Sequence, residues 1–306
     1  MAENRALIIG CGDIGRRLAS LELAAGNGVV ALARSEMAAD RLIDYGMGVV
    51  SGDLDVPDSL QDLPSGAAVL YYLAPPPPVG AGDPRLDAFL AALSPDALPE
   101  RLVYISTSGV YGDCQGAWVD EDWPVNPQTE RARRRLSAEI SLRAWGEDHG
   151  VPFVILRVPG IYGPGRLPVE RIRQGIPVVC EEQSPYSNRI HADDLAQACF
   201  AAGRLGKPGG TYNVSDGRPT TMTDYFFQVA DLLGLPRPPV ITMQAAREAL
   251  SPGMLSFLEE SKRLDIRRMI EALQVTLRYP DLASGLAACL ETSPVTYTRL
   301  GSFPAP

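Results

Sequence analysis

Two histidines and five cysteines give this chain of 306 residues little with which to hold a metal ion. No HExxH-type spacing and no CxxC pair occurs among them, so the sequence offers no metal site. Cys11, Cys114, Cys180, Cys199 and Cys289 are scattered and odd in number, which reads as reduced thiols and points to the cytoplasm. A basic surplus is missing as well. The net charge of −9 argues against nucleic acid as a partner, because phosphate binding needs a basic surface. No stretch reaches the roughly 18 uncharged apolar residues of a membrane span, so no membrane association is expected. Met1-Ala2-Glu3-Asn4-Arg5 leads straight into an apolar run and leaves no room for a signal peptide. With 45% hydrophobic and 21% charged residues, the chain can build one large core, or one domain with a smaller partner.

What is present begins with glycine. The apolar run Ala6-Leu7-Ile8-Ile9 breaks into Gly10-Cys11-Gly12-Asp13-Ile14-Gly15 and then into Arg16-Arg17-Leu18-Ala19. A buried strand therefore feeds a glycine-rich turn that opens a helix. Glycines let the backbone turn tightly and approach a pyrophosphate, whose charge the N–H groups and dipole of the helix start stabilise. A second apolar run, Val29-Val30-Ala31-Leu32-Ala33, supplies the next strand. This strand-turn-helix-strand context predicts a dinucleotide site.

Short β-rich runs then alternate with helical stretches, the pattern of a parallel sheet with crossover helices. Further strands are expected at Val49-Val50-Ser51, Ala68 to Leu73, Leu102 to Ile105, Val154-Ile155-Leu156 and Thr211 to Val214. Ala74 and the four prolines Pro75 to Pro78 end the fourth strand in a stiff loop at the carboxyl edge, where open α/β sheets bind ligands. That edge puts Leu54, Leu73, Ala74, Pro75 and Pro159 on the cofactor surface. Residues 128–148 read as a long helix with Leu136, Ile140 and Ala144 on one stripe and a solvated face of Arg131, Arg133, Arg134 and Arg135. From about residue 216 helices follow one another between proline-rich turns. The fold expected is α/β, a doubly wound parallel sheet of about seven strands with a smaller, mainly helical C-terminal domain. Residues 1–165 and 188–215 would form the nucleotide-binding domain, and 166–187 with 216–306 the substrate domain capping it.

Three stretches together resemble the extended short-chain dehydrogenase/reductase family, which includes sugar-nucleotide epimerases and dehydratases. They are the glycine turn; Tyr104-Ile105-Ser106-Thr107-Ser108-Gly109-Val110-Tyr111-Gly112; and Leu156 to Arg166 followed by Arg189-Ile190-His191-Ala192-Asp193-Asp194. The similarity spans about residues 5–216, and Ser261-Lys262-Arg263-Leu264-Asp265 is similar to a further segment of such proteins. The resemblance implies a Rossmann-type fold and hydride transfer with nicotinamide, using a Tyr-xxx-Lys pair. Aligning the helix through Arg135-Leu136-Ser137-Ala138-Glu139 puts Arg131 at that tyrosine and Arg135 at that lysine. An arginine is not deprotonated near neutral pH, so Arg131 is no base, whereas Arg135 can still hold a ribose or phosphate. The chain thus resembles the atypical branch that keeps the fold and loses the pair. Ser108-Gly109 stands where the family's dehydratases carry Asp-Glu, which argues against sugar dehydration by that route.

Single residues follow from the same comparison. Arg34 stands after the second strand, where NAD-specific relatives place an acid. A guanidinium there suits a 2′-phosphate and favours NADP over NAD; the alternative is a solvated arginine. Asp53 matches the family's residue beside the adenine, or is a turn aspartate. Thr107 falls at the family's catalytic hydroxyl, with Ser108 beside it, and Tyr111 is a candidate replacement for the lost base. Tyr162, Arg166, Arg189 and His191 are candidates for the substrate side, the arginines for an anionic ligand; packing, ion pairing and loop anchoring are the plain alternatives. The leading expectation is an NADP-binding oxidoreductase or epimerase-like enzyme with a non-standard acid/base, acting on a small carbonyl or sugar-like substrate. A non-catalytic NADP sensor and a structural subunit are the competing classes. The partners expected are the small-molecule substrate and, as an open alternative to a monomer, a second copy in a homodimer.

Overall fold

The computed structural model describes residues 5–64 and 66–291. Seven parallel strands form the central sheet: β1 (Arg5–Ile9), β2 (Gly28–Ala33), β3 (Gly48–Ser51), β4 (Val69–Tyr72), β5 (Leu102–Thr107), β6 (Phe153–Val158) and β7 (Gly210–Asn213). Their spatial order is 7-6-5-4-1-2-3. The order reverses between β1 and β4, and such a switch point opens a crevice outside the carboxyl ends of the strands. Both faces of the sheet are covered, so its strands are apolar throughout. Ala6 and Ile8 of β1 pack into one layer with α1 (Asp13–Ala24), while Leu7 and Ile9 face the other with α3 (Pro84–Ala92).

On the first side α1, α2 (Glu36–Asp44) and α5 (Ala192–Leu205) cover the sheet. On the second side α3 is joined by α4 (Glu130–His149). Helix α4 corrects the stripe expected from its sequence. Its sheet-facing residues are Ala138, Leu142 and Gly146, Ala132 is buried against Gly109, and Ile140 is 61% exposed. Nor is its arginine face uniformly solvated: Arg134 is buried, and Arg135 is half-buried in a hydrogen-bonded position.

The chain leaves the sheet after β6 and again after β7, and the two excursions interlock. Val178–Val179 pairs with Val240–Ile241, and Tyr186–Ser187 with Thr220–Thr221. Helix α6 (Met222–Leu233) and α7 (Leu282–Glu291) share a core with Tyr162 and Ile172. Arg263–Leu264 pairs with Trp118–Val119, tying the last third of the chain to the loop after β5. No helix among the described residues is long and apolar enough to cross a membrane.

Candidate active site

The glycine turn lies at the switch point. Gly10 adopts φ +84, and a Cβ there would stand 2.5 Å from the Ala74 backbone nitrogen, so only glycine lets the turn close on the exit of β4. A Cβ on Gly15 would press on Cys11 Sγ and the Gly10 carbonyl, which is the close approach of helix to strand. Gly12 differs: a Cβ there meets nothing within 4 Å. It caps α1 without any side-chain hydrogen bond, so the first N–H groups of the helix face an open cradle. The space before these N–H groups suits an oxyanion, and the turn therefore fits a dinucleotide pyrophosphate. Ile14 is buried behind it. Asp13 at the helix start accepts from Arg166 Nε at 2.7 Å and Arg17 Nε at 3.0 Å. Burial works against its charge, but these two guanidinium groups outweigh burial and hold its carboxyl below the usual range.

Beside the turn is a cavity of about 300 Å³ lined by Gly10, Arg34, Asp53, Leu54, Ala74 and Pro75. Asp55, which also lines this cavity, is held by Arg85 through two hydrogen bonds of 2.6 and 2.7 Å. Among the described residues no ion pair holds Arg34, whose side chain is exposed. Asp53 accepts from the Asp55 N–H at 3.0 Å and closes a local turn. Leu73 donates its N–H to the Ile9 carbonyl at 2.8 Å and so fixes the β4 exit against β1.

A second cavity, about 270 Å³, opens beyond the carboxyl ends of β5 and β6, with Thr107, Ser108, Pro159 and Arg189 on its wall. Thr107 Oγ1 accepts from the Gly109 N–H at 3.2 Å, which leaves its own proton to donate into the cavity. Arg131, Phe257, Glu260 and Lys262 complete the wall. Lys262 is buried, and its Nζ donates to the Gly112 carbonyl at 2.7 Å and to Glu260 Oε2 at 2.8 Å. Glu260 Oε1 is buried with no hydrogen-bond partner. Asn188 fastens this wall, donating to the Lys262 carbonyl at 3.0 Å and accepting from the Leu264 N–H at 2.8 Å. Arg135 bridges the ends of β4 and β5: its Nη1 donates to the Ile105 carbonyl at 2.9 Å, Tyr104 Oη at 3.1 Å and the Ala74 carbonyl at 3.3 Å.

A glycine turn at the switch point, an open cradle at Gly12 and a hydroxyl-lined cavity on the same edge define a nucleotide-dependent fold. Residues 6–215 match the model of the NAD dependent epimerase/dehydratase family. The chain belongs to that family. Protein YeeZ of Escherichia coli K12 is 30% identical over 235 residues, 75% of this chain and 76% of its own length. A structure from Silicibacter pomeroyi DSS, described as a functionally unknown conserved protein, superposes with a TM-score of 0.79 at 31% identity, covering 94% of this chain and 98% of its own. Human dTDP-D-glucose 4,6-dehydratase is 29% identical over 133 residues; the match spans 41% of this chain and only 38% of that enzyme.

Not every residue singled out from sequence reaches this epimerase/dehydratase-family site. Tyr111 is buried and donates to Asn213 Oδ1 at 2.8 Å, with Arg157 over its ring; burial pushes its phenol up to about 12. Tyr162 is wholly buried in the cap core, and its hydroxyl donates to the Asp281 carbonyl at 3.4 Å. His191 is 1% exposed between Tyr162 and Tyr279, and its Nδ1 accepts from the Asp193 N–H to cap α5. These three pack or anchor. Arg166 lies at the nucleotide turn rather than on the Thr107 cavity. Conversely, Phe257, Glu260 and the Asn188 clasp carry no motif, and Lys262 is signalled only by its place in the Ser261 to Asp265 segment. No disulfide joins the cysteines among the described residues, and Cys114, Cys199 and Cys289 are buried.

Proposed function

We propose that the chain is a nicotinamide-dinucleotide-dependent oxidoreductase or epimerase-like enzyme, acting on a small carbonyl or sugar-like substrate with NADP preferred over NAD. The supporting observation is a shared sheet edge: the open cradle at Gly12, the Arg34 cavity and the Thr107 cavity are all built at the carboxyl ends of the central strands, where Arg135 ties the Ala74 carbonyl after β4 to the Ile105 carbonyl of β5. Gly10, Gly12, Asp13, Ile14 and Gly15 would hold the pyrophosphate, Arg34 the 2′-phosphate, and Asp53, Leu54, Leu73, Ala74 and Pro75 the adenosine side. Arg135 and Pro159 would hold the nicotinamide end. When bound, the dinucleotide supplies the redox equivalent, and proton handling falls to this chain. Arg131 cannot serve as base. Thr107 would orient the substrate oxygen, and Glu260, held by Lys262 and with one carboxylate oxygen unpartnered, would take or return its proton. Arg131 and Arg135 at the positions of the Tyr-xxx-Lys pair also favour a second reading, a non-catalytic NADP sensor.

A turnover screen separates them. The protein would be incubated with NADP(H) and a panel of aldehydes, ketones, alcohols and nucleotide sugars, followed at the nicotinamide absorbance. Turnover that falls on Glu260→Gln with cofactor affinity unchanged supports the enzyme. Tight NADP binding without turnover across the panel supports the sensor. Gly12→Val should abolish cofactor binding in a folded protein, since its side chain enters open space. Undiminished binding there would overturn the placement of the pyrophosphate at the glycine turn.

A further inference from the structure

The Thr107 cavity carries an unusual charge. Its lining includes three cations, Arg131, Arg189 and Lys262, against one carboxylate, Glu260. Lys262 and Glu260 pair with each other at 2.8 Å. Two guanidinium groups are thus left without an ion pair of their own, in a chain whose net charge is −9; Arg131 shares the field of Glu260, and Arg189 feels Asp216. Along the same edge Arg166 is matched to Asp13, Arg85 to Asp55 and Arg17 to Asp193, while Arg34 and Arg135 make no ion pair among the described residues. Neither Arg131 nor Arg189 makes an ion pair among the described residues.

Both are held from behind rather than neutralised. The Arg189 guanidinium lies 4.0 Å over the Tyr225 ring, its Nη2 meets only the weak acceptor Met222 Sδ at 3.2 Å, and its Nε is buried without a partner. Arg131 lies 4.3 Å over the Phe257 ring. Aromatic faces fix a guanidinium in place while leaving its N–H fork to point elsewhere. Burial disfavours the charge of Arg189, a cost that an incoming anion would relieve.

We propose that Arg131 and Arg189 form an oxyanion clamp in this cavity, one that takes a phosphoryl dianion of the substrate. The surplus of two positive charges matches a doubly charged group better than a single carboxylate. The position of Arg131 then gains a meaning: where relatives would carry a base, this chain carries a specificity-determining residue. The proposal deepens the functional reading above and rests on it only for calling the cavity the substrate site.

Inorganic phosphate is the probe. The full chain, saturated with NADP so that the glycine turn is filled, would be titrated calorimetrically with phosphate in chloride buffer, and with malonate in parallel. Phosphate should bind, and Arg131→Gln and Arg189→Gln should each weaken it roughly tenfold or more, the scale of one charge-assisted hydrogen bond. Arg131→Lys should fall between, keeping charge without the fork. Arg237→Gln, which breaks an exposed pair with Asp231, should change nothing. Melting curves confirm that each variant is folded. No heat with phosphate, or heat indifferent to Arg131→Gln, would overturn the clamp. Tighter malonate would overturn its phosphoryl assignment. If NADP fails to bind but phosphate binds through Arg131, the nucleotide reading fails and the clamp stands.

Discussion

At the scale of single residues, charge and desolvation set the most direct tests. Arg34 faces the nucleotide cavity with no ion pair among the described residues, so its contribution should appear only with a ligand that carries a 2′-phosphate. Arg34→Ala should weaken NADP by about 1.5–3 kcal/mol and leave NAD nearly unchanged, as separate calorimetric titrations would show. Equal losses would return Arg34 to the solvated role. His191 offers a test by pH. Burial lowers its pKa from the ordinary 6.5 to about 4, the Asp193 carboxylate opposing and Arg17 assisting. A lowered histidine pKa means that the folded state resists protonation, so its contribution is present above pH 6.5 and is lost as pH falls toward 4. Asp216 works the other way. Burial raises its carboxyl to about 7, so its contribution is full below the ordinary 3.8 and is lost as pH rises through 7. His191→Asn, which can still cap α5, should therefore lose less melting temperature than the parent between pH 6.5 and 4.5. Parallel curves for the two proteins would show that His191 does not titrate in that range.

At the scale of elements, a polar network joins sheet to helix where apolar packing would be expected. Arg157 of β6 donates to Glu139 of α4 at 2.8 and 3.2 Å, and Ser106 of β5 donates to the same carboxylate at 2.5 Å. All three are buried. Removing one partner of such a pair strands the other charge. Arg157→Met should cost about 3–5 kcal/mol in denaturant unfolding, and adding Glu139→Met should recover much of it. No recovery in the double variant would mean that the network also carries packing that methionine cannot supply. The network explains what was legible in the sequence and what was not. Strands covered on both faces must be apolar throughout, so Ala6 to Ile9 or Val29 to Ala33 announce themselves. Helix α4 does not: it meets the sheet through alanine, glycine, one leucine and a buried glutamate, while Ile140 points to solvent. Its apolar periodicity therefore marks the wrong face.

At the scale of the molecule, the candidate site is legible in one half only. The glycine turn, Arg34 and Thr107 sit in continuous motifs, and the fold brings them to one edge as their spacing implies. The opposing wall is assembled from residues with no common motif. Lys262 reaches the Gly112 carbonyl across 150 residues of chain, and no local pattern relates the two. The last third also completes the main core: Met269 and Leu273, both fully buried, pack with Leu18 and Ala198, and Asp194 accepts the N–H groups of Arg278 and Tyr279 at 2.7 and 3.0 Å. Truncation after residue 215 should therefore abolish the cooperative melt in circular dichroism. A sigmoidal transition near that of the full chain would show that the sheet domain stands alone.

The long closure between Lys262 and Gly112 also bears on the order in which the protein is made. The glycine turn needs only β1, the start of α1 and the β4 exit, all present once residue 75 has emerged. The wall that faces Thr107 waits for Phe257, Glu260 and Lys262. At translation speeds of about 5–20 residues per second, the delay between Gly112 and its partner is on the order of ten seconds. Throughout that interval Arg131 lacks the aromatic ring that holds it, and the cavity has no far side. A nascent chain thus has the parts of its glycine turn early and the far wall of the Thr107 cavity only after the cap has folded back, an order written into the topology.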